Sequence, residues 1–541
     1  MHADTHGRAG MSRRELLQRG AAAALAAGAG RIRAAQPAHA AATSEPAGRR
    51  RRPNILLLMC DQFRGDCLGA DGNPIIRTPN LDRLAAEGAL FRRAYSSLPS
   101  CTPARATLLT GWGAWRHGML GYGRVAEKYP NEMPRMLAEA GYYTLGIGKM
   151  HWSPQRNLHG FHRTILDESG RVESKGFISD YRQWFQREAA DLNPDATGIG
   201  WNDYQSKPYA LPERLHPTRW TADTAVEFLE GYGKDGNEPD QAGRPFFLKV
   251  SFARPHSPYD PPQRFFDLYA DAKLPPAAVG AWAERNELRG QKLSSSTPRG
   301  DLGAEQVRRS RQGYYGSISF LDEQIGRILD VLRRRGWWED TLILLTSDHG
   351  DMQGDHHLWR KTYAYEGSSR VPMVIRWPAG LLDAQRGRQL VQPVELRDVL
   401  PTFLDAAGIP FAEKDFDGRS MLELIRGRTG AWRQAIDLEH SSCYWPANQW
   451  NALTDGHWKY IYGSVDGGEQ LFCLDSDPTE LHDLAAEGKH AATLEAWRKR
   501  LAEFLAPRGP EWVKDGQLQH RKPQMLYSPN YPPAAPGEGR A

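Results

Sequence analysis

The chain has 541 residues, enough for one large or two ordinary domains with a sizeable core. Its formal net charge is +4, and six arginines against Asp4 and Glu15 place that whole excess in residues 1–40. The rest of the chain is close to neutral, which excludes a nucleic-acid-binding protein.

The first 40 residues have the three parts of an export signal. A twin-arginine motif, Ser12-Arg13-Arg14-Glu-Leu-Leu, precedes an Ala/Gly-rich stretch, and Ala38-His-Ala40 offers small residues to a signal peptidase. The apolar stretch is too short to span a bilayer, so we do not expect an integral membrane protein. A disordered basic tail is the alternative. We predict a signal peptide over 1–40, a linker over 41–52, export by the twin-arginine machinery and a bacterial periplasmic location.

Four short apolar runs, typical of strands covered on both faces, end at polar residues. These runs cover residues 54–60, 142–147, 245–252 and 341–347. Helical patterns with caps or terminal glycines lie between them, at residues 78–88, 131–140 and 314–335. The alternation predicts an α/β fold with a large mixed, mostly parallel sheet flanked by helices, whose ligands bind beyond the carboxyl ends of the strands.

Two segments, roughly 153–220 and 258–312, are rich in proline, aromatic and charged residues and have little periodicity. We predict that they are insertions that shape a pocket. From about residue 430, short segments around a Gly-Gly turn, such as 458–462 and 470–474, predict an antiparallel sheet. We therefore predict a catalytic domain over 53–429 and a smaller C-terminal α+β subdomain with its tail over 430–541. The proline-rich end, from Pro507, is either an ordered wrap or a loose tail.

The five cysteines are too few for a disulfide scaffold, and their number is odd. Cys443 with Cys473, and Cys60 with Cys67, stay open as pairs, with buried free thiols as the default. Cys101 lies in the most informative segment, Pro99-Ser-Cys-Thr-Pro-Ala-Arg-Ala-Thr-Leu-Leu-Thr-Gly111. A proline at position 103 is typical of the first residue of a helix, which places Cys101 at the positive end of the helix dipole, where anions bind. From these residues alone, a cysteine that merely precedes a helix is the alternative.

This segment resembles the signature of type I sulfatases, arylsulfatase-like members of the alkaline phosphatase superfamily, in which the Cys of Cys-x-Pro-x-Arg becomes formylglycine. Residues 141–151, Gly-Tyr-Tyr-Thr-Leu-Gly-Ile-Gly-Lys-Met-His, are similar to the second signature of that family. Residues 54–62, 254–258, 347–351 and Lys361 also match the family in order. The resemblance covers roughly residues 53–376 and, more weakly, 471–484. It implies an alkaline-phosphatase-like fold, conversion of Cys101 to 3-oxoalanine, and a formylglycine-generating enzyme as a partner.

The resemblance also implies one divalent cation beside residue 101. Its ligands would be Asp61, Gln62, Cys101 in its modified form, Asp348 and His349. Oxygen donors with one imidazole suit Ca²⁺, Mg²⁺ or Mn²⁺, and the resemblance implies Ca²⁺ as the usual occupant. Gln62 and His349 depart from the frequent Asp and Asn of the family, which lowers the ligand charge and keeps Mn²⁺ open.

The implied reaction is hydrolysis of a sulfate ester, of a carbohydrate or an aryl alcohol, to the alcohol and inorganic sulfate. The hydrated aldehyde attacks sulfur and forms a covalent sulfo-enzyme intermediate. By resemblance, His151 takes the proton when this intermediate breaks down, and His256, alone or with Lys361, protonates the departing alcohol. Arg105 would orient the hydrate, and Lys149 and Lys361 would bind sulfuryl oxygens.

Two alternatives remain at this stage. A phosphonate monoester or phosphodiester hydrolase of the same superfamily transfers a similar tetrahedral charged group, and the Gln62 and His349 pair also occurs there. A catalytically dead protein that binds sulfated glycans would lack the modifiable cysteine or a metal carboxylate, and this chain has both. The cluster of Asp351, Asp355, His356 and His357 looks like a second metal site, but we expect a solvated active-site loop.

Overall fold

The computed structural model describes residues 52–234, 241, 243–523 and 525–533. The predicted signal peptide and nearly all of the predicted linker lie outside the described residues. The strands are β1 Asn54–Asp61, β2 Ala89–Phe91, β3 Ala94–Tyr95, β4 Tyr143–Gly148, β5 Arg163–Leu166, β6 Phe246–Pro255, β7 Thr341–Ser347, β8 Met373–Arg376, β9 Arg388–Leu390, β10 Val394–Glu395, β11 Ile436–His440, β12 Trp450–Thr454, β13 Trp458–Gly463, β14 Glu469–Cys473, β15 Val513–Lys514 and β16 Gln517–Leu518. The α-helices are α1 Pro79–Ala86, α2 Cys101–Thr110, α3 Ala114–His117, α4 Met133–Glu139, α5 Asp180–Glu188, α6 Pro217–Gly231, α7 Gln263–Asp267, α8 Ala304–Arg334, α9 Glu366–Ser369, α10 Val399–Ala406, α11 Leu422–Ile425 and α12 Ala491–Leu505.

Eight strands form the large sheet, in the order β5-β4-β6-β1-β7-β8-β2-β9. The five strands from β5 to β7 are parallel, β8 runs antiparallel to both of its neighbours, and β2 and β9 are parallel. This confirms the predicted mixed, mostly parallel sheet. The four apolar runs are the adjacent strands β4, β6, β1 and β7, so their carboxyl ends lie side by side.

Helices cover both faces of this sheet, as continuous apolar strands require. Alternate residues of β1 face opposite cores: Leu56 and Leu58 pack in one, and Ile55 and Leu57 in the other. The first core includes apolar residues of α6 and α8, and the second includes those of α2, α4 and α10. The sheet therefore lies in the middle of a three-layer structure.

Helix α8 is the clearest difference from the predicted elements, since it begins at Ala304 and not at Tyr314. Residues 304–313 are almost all polar and end at Gly313, which hides the apolar period. A Cβ on Gly313 would lie 2.7 Å from the carbonyl oxygen of Tyr259, and one on Gly316 would lie 2.8 Å from that of Phe265. The glycines thus let the helix approach the backbone of the neighbouring segment. The first predicted insertion likewise contains β5, α5 and the start of α6.

The C-terminal part forms the predicted antiparallel sheet, in the order β11-β12-β13-β14. Tyr462 pairs with Glu469 across the expected turn. One face of this sheet packs on α12, and the other packs near Tyr95 and Tyr365 of the part that contains the large sheet. The proline-rich segment is an ordered wrap over its described residues, because Leu526 and Ser528 hydrogen-bond to the backbone of residues 118–120.

Lys459 of β13 joins this sheet to the segment of Ala364 and Glu366 and supports a stability prediction. It is fully buried, and its Nζ donates to Glu366 Oε1, Glu480 Oε1 and a backbone carbonyl at 2.8 Å each. Lys459→Met leaves the buried Glu480 carboxylate without its cation, while Glu366 keeps Arg370 at 3.2 Å, so we expect the free energy of unfolding to fall by about 3 kcal/mol in urea titrations. Lys499→Met, at a side chain 77% exposed on α12, should change it by less than about 0.5 kcal/mol. Equal stability of the two variants would contradict this.

All five cysteines are free thiols; Cys60, Cys67 and Cys101 are buried, while Cys443 and Cys473 are half-buried. Of the helices described, none combines the length and the apolar character that crossing a bilayer requires.

Candidate active site

The rim of the sheet brings together side chains from three strand ends and one helix. Asp61 ends β1, Lys149 follows β4, and Asp348 and His349 follow β7. Cys101 begins α2. Its Sγ lies 3.2 Å from His349 Nε2, 3.8 Å from Asp61 Oδ1 and 3.9 Å from Lys149 Nζ. All five side chains are buried, so the sequence-predicted residues meet around Cys101.

Helix α2 begins at Cys101 itself, two residues earlier than Pro103 indicates. Pro103 is the third helical residue, where the missing N–H would have no partner in the helix anyway. Ser100 precedes the helix in an extended conformation, and its Oγ lies 2.8 Å from Nε2 of His440 at the end of β11. The C-terminal sheet thus contacts the start of α2, and Cys101 lies at the positive end of its dipole as predicted.

The donors around Cys101 fit a divalent cation. Asp61, Cys101, Asp348 and His349 each offer one ligand atom, and these atoms lie within 4.8 Å of one another. The two carboxylates and the imidazole suit a hard or borderline divalent cation. Within the part of the chain that the structure describes, this is the group of His, Cys, Asp and Glu side chains whose ligand atoms lie close enough together to hold a metal ion.

Gln62 is held at the site by Asp351. Its backbone lies in the left-handed region, with φ 70°, and its Nε2 donates to Asp351 Oδ2 at 2.6 Å. Tyr259 donates its hydroxyl to the same oxygen at 2.5 Å. With the amide nitrogen fixed in this way, Gln62 Oε1 turns to the site and accepts from Lys361 Nζ at 3.0 Å. Asp351 is therefore a positioning residue behind a predicted metal ligand.

Asp351→Asn keeps the shape of the side chain nearly unchanged. The geometry nevertheless predicts that it disturbs the position of Gln62. An amide at position 351 carries no negative charge, so the anionic acceptor that fixes the Gln62 side chain is lost. We therefore expect kcat/KM to fall about 10- to 100-fold. Steady-state kinetics with an aryl sulfate measures the effect, and thermal unfolding checks that the fold is intact. Asp301→Asn, at a half-exposed side chain, is the matched control. Wild-type kcat/KM in Asp351→Asn would show that Gln62 needs no such support.

The cluster of Asp351, Asp355, His356 and His357 is neither a second metal site nor a solvated loop. Asp355 is buried between Arg64 and Arg311, at 2.7 and 2.6 Å. The buried ring of His356 packs on Trp282, with 4.5 Å between ring centroids. The expectation of a solvated loop is wrong, because two arginines and an aromatic side chain from distant segments enclose these residues.

Arg105 and Lys149 neutralise the two site carboxylates. Arg105 is fully buried; it donates to Asp348 Oδ2 at 2.9 Å and lies 3.4 Å from Asp61 Oδ2. Lys149 Nζ donates to Asp61. Burial raises the pKa of Asp61, but the positive charges of Lys149 and Arg105 outweigh it and hold this pKa well below its usual range. Arg105 thus contacts both predicted carboxylate ligands, and its Nη1 also donates to the Lys149 carbonyl at 2.6 Å and to Ser251 Oγ at 3.1 Å.

Lys361 and His256 form a hydrogen-bonded pair next to Cys101. Lys361 Nζ lies 2.8 Å from His256 Nε2 and 3.4 Å from Cys101 Sγ. An ammonium group only donates, so His256 Nε2 accepts; Nδ1 faces the Ser257 carbonyl at 2.9 Å and therefore carries the hydrogen. Burial and Lys361 hold the pKa of His256 well below its usual range. His256 is neutral here, and its Nε2 accepts a hydrogen bond from Lys361.

His151 has the neutral state that a base requires. Its backbone N–H donates to Glu168 Oε1 at 2.9 Å, and its ring nitrogens lie within 2.9 Å of Arg171 Nη1. Its Nε2 also lies 3.2 Å from Glu173 Oε1. Burial and Arg171 hold the pKa of His151 well below its usual range. The imidazole is therefore unprotonated near neutral pH.

The whole arrangement suits a tetrahedral anion bound next to residue 101. Burial and Asp61 raise the pKa of the Cys101 thiol, but the two lysines and His349 outweigh them and lower it to about 6. A group that stabilises a thiolate also stabilises other anions at the same place, such as the oxygens of a sulfuryl group in transfer.

Comparison with known proteins identifies the family. Residues 53–409 match the family model described as Sulfatase. The chain belongs to the sulfatase family. Residues 354–506 also match the model described as the C-terminal region of N-sulphoglucosamine sulphohydrolase.

Characterised relatives agree with this assignment. An arylsulfatase of Clostridium perfringens is 39% identical over 480 residues, which cover 86% of this sulfatase and 97% of the relative. A choline-sulfatase of Rhizobium meliloti is 34% identical over 467 residues, 83% and 86% of the two chains. This sulfatase is thus a sulfuric ester hydrolase. Among solved structures, a phosphonate monoester hydrolase of Agrobacterium radiobacter superposes with a TM-score of 0.70 at 26% identity, covering 87% of this chain and 100% of that one.

Some residues around the site of this sulfatase escape sequence reasoning. Asp351 lies within a matched motif, but its spacing from Asp348 does not show that it holds Gln62. Glu168, Arg171 and Trp201 lie in the first insertion, whose lack of periodicity gives no signal for individual positions. Only the three-dimensional contacts assign them to the site.

Proposed function

We propose that Cys101 is converted to formylglycine and that residue 101 is the nucleophile in hydrolysis of a sulfate ester. The observation that carries this proposal is the buried Cys101 at the start of α2, between two lysines, His349 and Asp61. Formylglycine supplies a hydrated aldehyde, whose hydroxyl is a nucleophile that an unmodified thiol does not provide.

The proposed metal ligands are Asp61, Gln62, Asp348, His349 and the modified residue 101. The hard donor set supports one divalent cation, with Ca²⁺ as the proposed occupant and Mn²⁺ or Mg²⁺ as alternatives. Such a cation supplies a Lewis acid for a sulfuryl oxygen and stabilises the anionic form of residue 101.

The remaining side chains bind sulfate and move protons. Lys149 and Lys361 flank Cys101 Sγ and would bind sulfuryl oxygens. Arg105 keeps the carboxylates in place. His151, unprotonated, would accept the proton of the residue 101 hydroxyl.

The leaving alcohol would take its proton from the pair of Lys361 and His256. In the observed hydrogen bond Lys361 donates to His256 Nε2, so a proton passed along it would reach the alcohol oxygen from either member. This sharpens the expectation that His256 acts alone or with Lys361, because a neutral His256 has no second proton of its own to give at Nε2.

The substrate that we propose is an aryl or carbohydrate sulfate. The name of the Clostridium perfringens relative supports the aryl class. We further propose a catalytic domain over 53–429 and a C-terminal subdomain over 430–541, modification by a formylglycine-generating enzyme, and export to the periplasm by the twin-arginine pathway. The Arg13-Arg14 motif supports the route of export.

A phosphonate monoester hydrolase is the second candidate. The structural similarity to such an enzyme at a TM-score of 0.70 favours it, and so does the Gln62 and His349 donor pair. The sulfatase family match and the two sulfatase relatives favour sulfate esters more strongly.

Paired kinetics tests the choice. The metal-loaded, modified enzyme should have a kcat/KM for 4-nitrophenyl sulfate at least about tenfold above that for the 4-nitrophenyl ester of phenylphosphonate, because both release the same phenol and differ only in the transferred group. Removal of the metal with a chelator should abolish both activities, and Ca²⁺ should restore them. A higher kcat/KM for the phosphonate would overturn the proposal in favour of the second candidate.

A further inference from the structure

The turn that follows β4 contains two of the proposed catalytic residues, Lys149 and His151. Its backbone is unusual, because Gly148 and His151 both have positive φ, of 89° and 62°. Glycine adopts this conformation freely, whereas histidine adopts it at a cost and keeps it only where the surrounding structure holds it. The position of the His151 ring therefore depends on the contacts that fix this backbone.

Lys149, in the first half of the turn, is held by β6 and α2. Its N–H donates to the carbonyl of Ser251 at 2.8 Å, and its carbonyl accepts from Arg105 Nη1 at 2.6 Å. Neither contact involves the residues that follow Lys149. The backbone of Lys149 should therefore stay in place when the second half of the turn is disturbed.

The second half of the turn is held by Glu168. The backbone N–H groups of Met150 and His151 both donate to Glu168 Oε1, at 2.9 Å each. Glu168 lies two residues beyond the end of β5. Because Gly148 pairs with Leu166 between the parallel strands β4 and β5, the carboxylate reaches this turn from the neighbouring strand end.

Stability alone does not account for a carboxylate at position 168. Glu168 is fully buried, and its other oxygen, Oε2, has no hydrogen-bond partner among the described residues. Burial raises the pKa of Glu168, and the two backbone N–H groups and the nearby cations offset this only in part. A buried carboxylate with so few donors is unfavourable, and such departures from favourable packing are typical of functional sites.

We propose that Glu168 is a positioning residue that holds His151 for the second step of the reaction, the release of sulfate from residue 101. This rests on the proposed function. In that step His151 takes the proton of the remaining hydroxyl on residue 101, and the freed electron pair forms the C=O bond of the aldehyde. The C–O bond to the sulfate breaks, and sulfate leaves as the dianion with the electron pair of that bond. Arg171 contacts the ring of His151, whereas Glu168 fixes the backbone from which the ring projects.

The geometry predicts an effect on the second step alone. Lys149, which would bind sulfuryl oxygens during the first step, keeps its own contacts to Ser251 and Arg105. The ratio kcat/KM reports the steps up to departure of the alcohol, whereas kcat also includes the release of sulfate. Loss of Glu168 should therefore lower kcat and KM together and leave kcat/KM nearly unchanged. A merely structural role of Glu168 would lower kcat/KM as well.

Glu168→Met tests this in the modified, metal-loaded, full-length enzyme with 4-nitrophenyl sulfate, because methionine has a similar length and no acceptor oxygen. We expect kcat to fall about 10- to 100-fold and kcat/KM to stay within about threefold of the wild type. A burst of about one 4-nitrophenol per modified chain should precede steady turnover. Glu168→Gln keeps an acceptor oxygen and should have a kcat within about fivefold of the wild type. Glu168→Asp, which retracts the oxygen by one carbon, provides the same test if urea titrations show that Glu168→Met is unfolded.

Asp322→Leu is the matched control. Asp322 is another buried carboxylate that accepts from two consecutive backbone N–H groups, those of Asn80 and Leu81 at the start of α1. Its loss should lower the thermal stability and change neither kcat nor KM. A parallel fall of kcat and kcat/KM in Glu168→Met, or a kcat at the wild-type level, would overturn the positioning of His151 and leave sulfate ester hydrolysis intact. A modified, metal-loaded wild-type enzyme that turns over no sulfate ester would overturn both.

Discussion

Cys101→Ala will abolish turnover and leave the fold intact. The substitution removes the atom that becomes the nucleophile, so kcat should fall at least about 10⁴-fold with any sulfate ester. It removes only one buried sulfur at the start of α2, so the free energy of unfolding should change by no more than about 1.5 kcal/mol. Initial-rate assays and urea titrations measure the two effects on the same preparation.

Cys67→Ala is the matched control, because this thiol is also buried but packs in the core beside β1. It should keep kcat within about threefold of the wild type while having a similar effect on stability. Turnover of Cys101→Ala close to that of Cys67→Ala would show that residue 101 is not the nucleophile.

Asp348→Asn will weaken metal binding and will therefore lower the activity. Asp348 offers one of the two anionic ligand atoms, and its other oxygen accepts from Arg105 at 2.9 Å. An amide of the same shape carries no negative charge. We therefore expect the amount of bound divalent cation to fall well below one ion per chain, and kcat/KM to fall about 10³-fold. Elemental analysis after desalting and assays over increasing Ca²⁺ measure the two quantities.

Asp330→Asn changes the same group at an exposed position of α8, 59% accessible, and should alter neither quantity. Metal content and kcat/KM of Asp348→Asn at the wild-type level would contradict the proposed ligand set. Partial rescue by high Ca²⁺ would agree with it, because a weakened site fills at higher metal concentration.

The fold was predictable where each segment alone carried a strong pattern. The apolar runs that became β1, β4, β6 and β7 are continuous because both faces of those strands are covered. The carboxyl ends of parallel strands meet at one rim, so the polar residues that follow them had to converge. The start of α8 was missed because residues 304–313 are almost all polar and end at Gly313, which serves a close backbone contact and not the helical period.

The site was predictable only in its inner part. Asp61, Cys101, Asp348 and their neighbours lie in motifs whose residue types the chemistry requires. The side chains that orient or surround them come from segments distant in sequence. Arg171 and Trp201 lie in one insertion, and His440 lies in the C-terminal sheet. Their positions depend on the way in which the long loops fold back over the rim, and no local sequence pattern predicts that.

The mass of the tryptic peptide that contains Cys101, residues 94–105, tests the central claim most directly. In active enzyme produced with a formylglycine-generating enzyme, this peptide should weigh about 18 Da less than its sequence requires, because an aldehyde oxygen replaces the thiol and its hydrogens. Chain produced without that enzyme should show the unmodified mass and no turnover. A fully active enzyme whose peptide keeps an intact Cys101 thiol would contradict the account.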